Sequence, residues 1–184
     1  MAKRKKIIMS WSKCRVEVGY TGEGDAFATE LVSVGTIKDK STTLATADGE
    51  SLEAKATGGV TVALEEGEPV VTLTTRVKEM DFDTEGFFTG AVKSEQGDEL
   101  AVSTNVVQKE FSVKVTPKNI GATGIKAARC SVKFRPGSSE DEGQYVDLTF
   151  TILEPENGVV YKKFKVKAED WADPKFASEL VAGS

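Results

Sequence analysis

Histidine is absent from this 184-residue chain, and several common kinds of site go with it. Histidine metal centres, Ser-His-Asp and Cys-His arrangements, and the usual neutral-pH acid–base residue are all excluded. Cysteine is nearly absent as well. Cys14 and Cys130 are the only two, too few for a four-cysteine zinc centre within one chain or for a disulfide framework, although a single bridge stays open. Both lie in alternating segments and are read as small buried hydrophobes. Aromatics are 8% of the residues, so the expected core is built mainly from Val, Leu, Ile and Phe. Long apolar runs are also missing. The opening Met1-Ala-Lys-Arg-Lys-Lys-Ile-Ile-Met9 has a basic head but only a three-residue apolar run, too short for a signal-peptide core. Nothing later approaches the length of a transmembrane helix. Cytoplasmic synthesis without a membrane partner is the expectation.

What the chain does have is alternation. Lys109-Glu-Phe-Ser-Val-Lys-Val-Thr116 sets Phe111, Val113 and Val115 on one face and Glu110, Ser112 and Lys114 on the other, the two-residue period of a half-buried strand. The pattern returns at 70–77, 127–134, 145–153 and 159–166. A chain of this size buries roughly 70% of its extended surface, enough for one core without metals or disulfides. No linker or internal repeat divides it. The fold class expected is mainly β, a β-sandwich or barrel-like pair of packed sheets with one or two short flanking helices. Residues 1–11 are expected to form a flexible basic N-terminal segment carrying Lys3, Arg4, Lys5 and Lys6, and residues 12–184 a single domain.

The first strand is predicted at 12–18. The glycines of Gly19-Tyr-Thr-Gly-Glu-Gly24 lack the spacing of a phosphate-binding loop. Short strands follow at 31–36 and 52–56, residues 41–47 are a polar segment that either pairs or wanders, and Asp48-Gly49 is read as a tight turn. Residues 37–59 contain few large apolar side chains, which marks them as an arm that gains order from a partner. Residues 60–64 and 70–77 are predicted to pair as a hairpin through Glu65-Glu-Gly-Glu-Pro69. Asp81 or Asp83 is expected to cap a short helix near Thr84, with Phe87 and Phe88 covering one open end of a sheet. Residues 100–107 are a strand or a connection, and Pro117 ends a strand over 111–116. Strands at 125–134 and 145–153 are joined by a loop over 135–143. Asn157-Gly158 predicts a second hairpin into 159–166, with Phe164 and Val166 inward and Lys162, Lys163, Lys165 and Lys167 outward. Asp170 or Asp173 caps a C-terminal helical turn near Trp171, and Pro174 suits its first position.

Chemistry is scarce. Asp81 and Asp83 form the most tempting carboxylate pair, but their plainer role is to satisfy free backbone donors at a helix start. Glu140-Asp-Glu142 lacks the ligand spacing of a calcium loop. The net charge of −5, with acids interspersed among the lysines, is unfavourable for binding a phosphate backbone. No catalytic residue, metal or cofactor is expected, and the chain is not read as an enzyme.

The order Val34-Gly-Thr-Ile-Lys-Asp-Lys-Ser-Thr-Thr-Leu44, Asp48-Gly-Glu, Glu53-Ala-Lys, an acidic glycine turn, the 70–77 strand and then Asp81, Phe82 and Asp83 resembles the tail tube subunits of long-tailed bacteriophages. It is also similar to the tube proteins of contractile injection and secretion machines. The resemblance spans roughly residues 14–92 and implies a sheet pair flanked by a helix. It further implies six copies in a ring and rings stacked into a virion tail tube assembled after synthesis in the host bacterium. DNA would pass through the lumen without specific binding, and other tail proteins are possible partners. Residues 37–59 would correspond to the loop that reaches a neighbouring subunit or ring, making Lys38, Asp39, Lys40, Ser41, Thr42, Thr43, Leu44, Leu52, Glu53 and Lys55 the candidate assembly contacts. The alternative is a non-catalytic carbohydrate- or protein-binding β-sandwich module of a virion or cell surface. Clustered exposed aromatics at Trp11, Tyr20 or Phe27 would favour that reading.

Overall fold

β-branched and aromatic residues at every second position favour pleated strands over helices. In the computed structural model, which describes residues 11–103 and 109–181, the chain runs through β1 (Cys14–Tyr20), β2 (Val32–Ser33), β3 (Thr36–Ile37), β4 (Thr43–Ala47), β5 (Leu52–Lys55), β6 (Thr61–Glu65) and β7 (Val70–Lys78). There follow α1 (Phe82–Thr89), β8 (Val92–Lys93), β9 (Leu100–Ala101), β10 (Glu110–Pro117), β11 (Thr123–Ser139), β12 (Gly143–Ile152), β13 (Lys162–Lys165) and α2 (Ala177–Val181). The basic head over residues 1–10, and the second half of the strand or connection expected at 100–107, lie outside the described residues.

Nine strands form one antiparallel sheet in the order β2-β1-β10-β11-β12-β7-β3, with β4 also along β7 and β13 along β11. The sheet curls into a half-barrel, and the 17-residue β11 is the strand its two halves share. Ile125 to Ser131 pair with β10, while Cys130 to Ser139 pair with β12 on the opposite side. The core cluster holds Val16, Val18, Leu73, Val77, Phe111, Val113, Val115, Leu148 and Phe150, all buried. Each such side chain contributes about 1.5–3 kcal/mol when fully removed from water. Mainly β, with short flanking helices, is therefore the observed architecture.

The helix start forms as the local chemistry dictates. Asp81 Oδ1 accepts from the Thr84 amide at 2.7 Å, and Gly90 ends α1 at φ 72°. Phe88 turns into the core against Phe111, and Phe87 stacks on Tyr20 at 4.4 Å between ring centres, so the helix covers one end of the sheet.

Five expectations need correction. Residues 60–64 do not pair with 70–77: β6 pairs with β5, and β7 pairs with β3, β4 and β12. The 135–143 stretch is mostly strand, with β11 running on to Ser139. There Tyr145 lies over Gly137, where an added Cβ would meet the ring at 2.6 Å. The 159–166 segment turns at Gly158 but passes β12 and joins β11 instead. Gly124 makes that docking possible, since a Cβ there would meet Phe164 at 2.5 Å. Ser112 is buried, not outward. It accepts from the Ala28 amide at 2.9 Å and donates to the Ala128 carbonyl at 2.8 Å, because the outer face of β1 and β10 is itself covered. Asp170 closes a 3-10 turn over Ala168–Trp171, its Oδ2 accepting from the Lys167 amide, whereas Pro174 precedes α2 rather than opening it.

Candidate assembly surface

The candidate contacts divide into an anchored root and a projecting ribbon. Lys38 through Leu44 belong to the root. The Lys38 amide donates to Arg76 O at 2.8 Å, Ser41 Oγ accepts from the Arg76 amide at 3.2 Å and donates to Lys38 O at 2.7 Å, and the Thr42 and Thr75 hydroxyls meet at 3.0 Å. Between them Asp39 and Lys40 make a turn, with Lys40 at φ 59°. Thr43 pairs with Thr74 on β7, and Leu44 packs half-buried against the core.

A charge cluster fixes this root to β12 and to Glu142 just before it. Lys38 Nζ bonds Glu142, whose other oxygen takes Arg76 Nη1 at 2.7 Å. Arg76 also grips Asp147 at two points, Nε to Oδ1 at 2.7 Å and Nη2 to Oδ2 at 2.9 Å, and its guanidinium lies 4.1 Å from the centre of the Tyr145 ring. Two-point pairing of this kind is among the stronger charge-assisted contacts. The hydrogen bond from Lys38 holds Glu142 below its ordinary pKa, and that from Arg76 does the same for Asp147.

Beyond β4 the two chains of the arm cross at a neck. A Cβ on Gly49 would lie 2.3 Å from Glu68 O, and one on Gly67 would lie 2.2 Å from Glu50 O, so only glycine fits both places. Past the neck stands the β5–β6 ribbon, where Leu52 faces Glu65, Glu53 faces Leu64 and Ala54 faces Ala63. Gly58 and Gly59, at φ 97° and 81°, close the tip. Every residue of both strands is exposed. Leu52 is 71% exposed, Val60 and Val62 64% each, and Leu64 58%. The stretch 48–68 carries six carboxylates against one lysine, a net of five negative charges, which equals the −5 of the whole chain. Glu53 is satisfied by Lys55 at 3.0 Å and Thr61 at 2.7 Å. Asp48, Glu50, Glu65, Glu66 and Glu68 have no cationic partner within 4.0 Å among the described residues.

Of the candidate contacts, then, only Leu52, Glu53 and Lys55 stand on the ribbon. Val60, Val62 and Leu64 belong with them. Their alternation was visible in the sequence, but it was assigned to the wrong hairpin.

The other sequence candidates are engaged within the fold. Asp81 caps α1, and Asp83 binds Lys93 Nζ at 2.8 and 3.0 Å. Trp11 Nε1 donates to Thr123 O, Tyr20 stacks on Phe87, and Phe27 lies beneath Lys126, so these aromatics sit on three separate partners. Cys14 and Cys130 are free thiols, and burial pushes their pKa values up to about 11 and about 12. Among the described residues no group of three or more Cys, Asp or Glu is placed to hold a metal ion, and no helix is long and apolar enough to cross a membrane.

No protein-family profile matches the chain, and no curated protein matches it. Among solved structures it is similar to the tail of an empty GTA particle, obtained by helical refinement with C6 symmetry. The likeness covers 87% of this chain and 100% of that one, at 12% identity and a TM-score of 0.45.

Proposed function

We propose that this protein is a structural subunit that assembles with copies of itself into six-membered rings stacked as a phage tail tube, with no chemical step. The observation that carries this reading is the β5–β6 ribbon. It projects from an anchored root and holds Leu52, Val60, Val62 and Leu64 more than half exposed. Val62 and Leu64 share one face of the ribbon and Leu52 lies on the other, and exposed apolar surface on a projecting ribbon supports an interaction site. Full burial of such side chains is worth about 1.5–3 kcal/mol each, against an association cost of roughly 4–15 kcal/mol. A single arm contact is therefore weak, and closure of a ring, where each copy both gives and receives an arm, is what makes it hold.

The open edges of the sheet support the same reading. β2, β3, β4 and β13 end the pairing with two, two, five and four residues, short edges that pair with another copy only in a defined geometry. The order of segments that resembles tail tube subunits supports reading residues 37–59 as the loop that reaches a neighbouring copy. In this reading Leu52, Glu53 and Lys55 touch the neighbour, and Lys38, Asp39, Lys40, Ser41, Thr42, Thr43 and Leu44 set the direction of the arm. Other tail proteins join the ends of the stack, and DNA passes through a lumen whose carboxylates resist phosphate adhesion. Negative-stain imaging of the purified full chain tests it: six-fold rings or stacked tubes are expected, and isolated single copies at every concentration would oppose it.

A further inference from the structure

The unpaired negative charge of the ribbon has a counterpart on the opposite side of the sequence. Lys13, Lys118, Ile120, Ala168 and Trp171 line a cavity of about 370 Å³. Its frame is fixed by the Lys118 amide donating to Lys13 O at 2.7 Å and by Trp171 Nε1 donating to Pro117 O at 2.8 Å. The Arg15 guanidinium lies 4.9 Å from the centre of the Trp171 ring. Ile120 is 66% exposed. Neither Lys13 nor Lys118 has a carboxylate within 4.0 Å among the described residues, while Glu169, on the adjacent turn, pairs with Lys167 at 3.4 Å.

We propose that this pocket receives the β5–β6 ribbon of a second copy, an assignment that rests on reading the chain as a self-assembling subunit. Leu52 seats against Ile120 and Trp171, and the carboxylate of Glu65, directly across the ribbon from Leu52, meets Lys13 and Lys118. Each partner thereby supplies the charge that the other lacks, and each covers apolar surface that the other exposes. The larger groove beside α1, about 520 Å³, fits the ribbon less well. Its cation Lys93 is already neutralised by Asp83, and a like charge facing the ribbon opposes docking. The groove beside Trp11 is lined in part by Thr42, Thr43 and Leu44 of the arm's own root and offers one lysine, Lys163.

The test is a mixed disulfide between two full-length variants, Leu52→Cys and Ile120→Cys, combined at a concentration where the wild-type chain assembles. A cross-linked dimer is expected in the mixture at ten-fold or more the yield of either variant alone. Adding Lys13→Glu and Lys118→Glu to the Ile120→Cys chain should lower that yield ten-fold or more. Adding Glu65→Lys and Glu66→Lys to the Leu52→Cys chain should then restore it. All these side chains are exposed, and circular dichroism verifies that each variant is folded. Wild-type assembly without the cross-link, or a cross-link indifferent to the charge reversals, overturns the pocket as acceptor and leaves self-assembly standing. A wild-type chain that stays monomeric at every concentration overturns both.

Discussion

Gly49 and Gly67 cross backbone to backbone at the neck of the arm: a Cβ on Gly49 would sit 2.6 Å from the carbonyl carbon of Gly67. Everything the arm presents is aimed by that crossing. Replacing either glycine with alanine forces the two chains apart and re-aims the ribbon without touching the core. Gly67→Ala should therefore leave the main sheet folded but cost more than the roughly 0.5 kcal/mol of an ordinary surface change, because the new Cβ meets backbone, while sharply weakening assembly. Paired urea unfolding and sedimentation measurements check this.

The Lys38–Glu142–Arg76–Asp147 cluster gives the root a dependence on pH. Both carboxylates have pKa values lowered by folding. Their contribution is complete above the unfolded-chain values, roughly 4, and is lost as the pH falls through the lower folded values. Thermal unfolding followed from pH 6 down to pH 2 should show a steeper loss for the wild type than for Arg76→Gln, and no difference in slope between pH 6 and pH 8.

Asp81 caps α1 through its 2.7 Å bond from the Thr84 amide. Asp81→Ala should cost about 1 kcal/mol in urea unfolding, the usual loss for an N-cap. Asp83→Ala removes only a half-exposed pair with Lys93 and should cost less.

Cys14 and Cys130 should react slowly with a thiol reagent at pH 8. Burial raises both pKa values well above that pH, and the thiolate is the reactive form. Rapid labelling of two thiols per chain is expected only in denaturant. Fast labelling of the native protein would show the Cys130 side of the core to be open.

Local chemistry was legible in the sequence, and long-range pairing was not. The Asp81 cap, the alternation of β7, β10 and β12, and the inward Val166 all follow from a residue and its near neighbours. Glu65-Glu-Gly-Glu-Pro69 has the composition of a hairpin turn, yet Gly67 serves to let one chain cross another at Glu50. Nothing within the segment says which strand it faces. Ser112 looked solvent-facing by period, but Ala28 and Ala128 satisfy its hydroxyl from other parts of the chain. The 37–59 segment stands out by its lack of core residues, yet residues 43–47 of it pair with β7 in the main sheet. The strand over 60–64 follows from its alternation, but its pairing with 52–55 does not, because Val60, Val62 and Leu64 look like core when they are exposed. The Lys13–Lys118 pocket carries no sequence signal, since 105 positions separate its two lysines.

The most direct measurement compares the full chain with one lacking residues 51–66, joined across the neck at Glu50 and Gly67, by sedimentation velocity over a wide concentration range with negative-stain images of the same samples. The account predicts rings or stacked tubes for the full chain, and a folded monomer for the shortened one with the circular dichroism of an intact sheet. A full chain that remains monomeric throughout, or a shortened chain that assembles equally well, would contradict it.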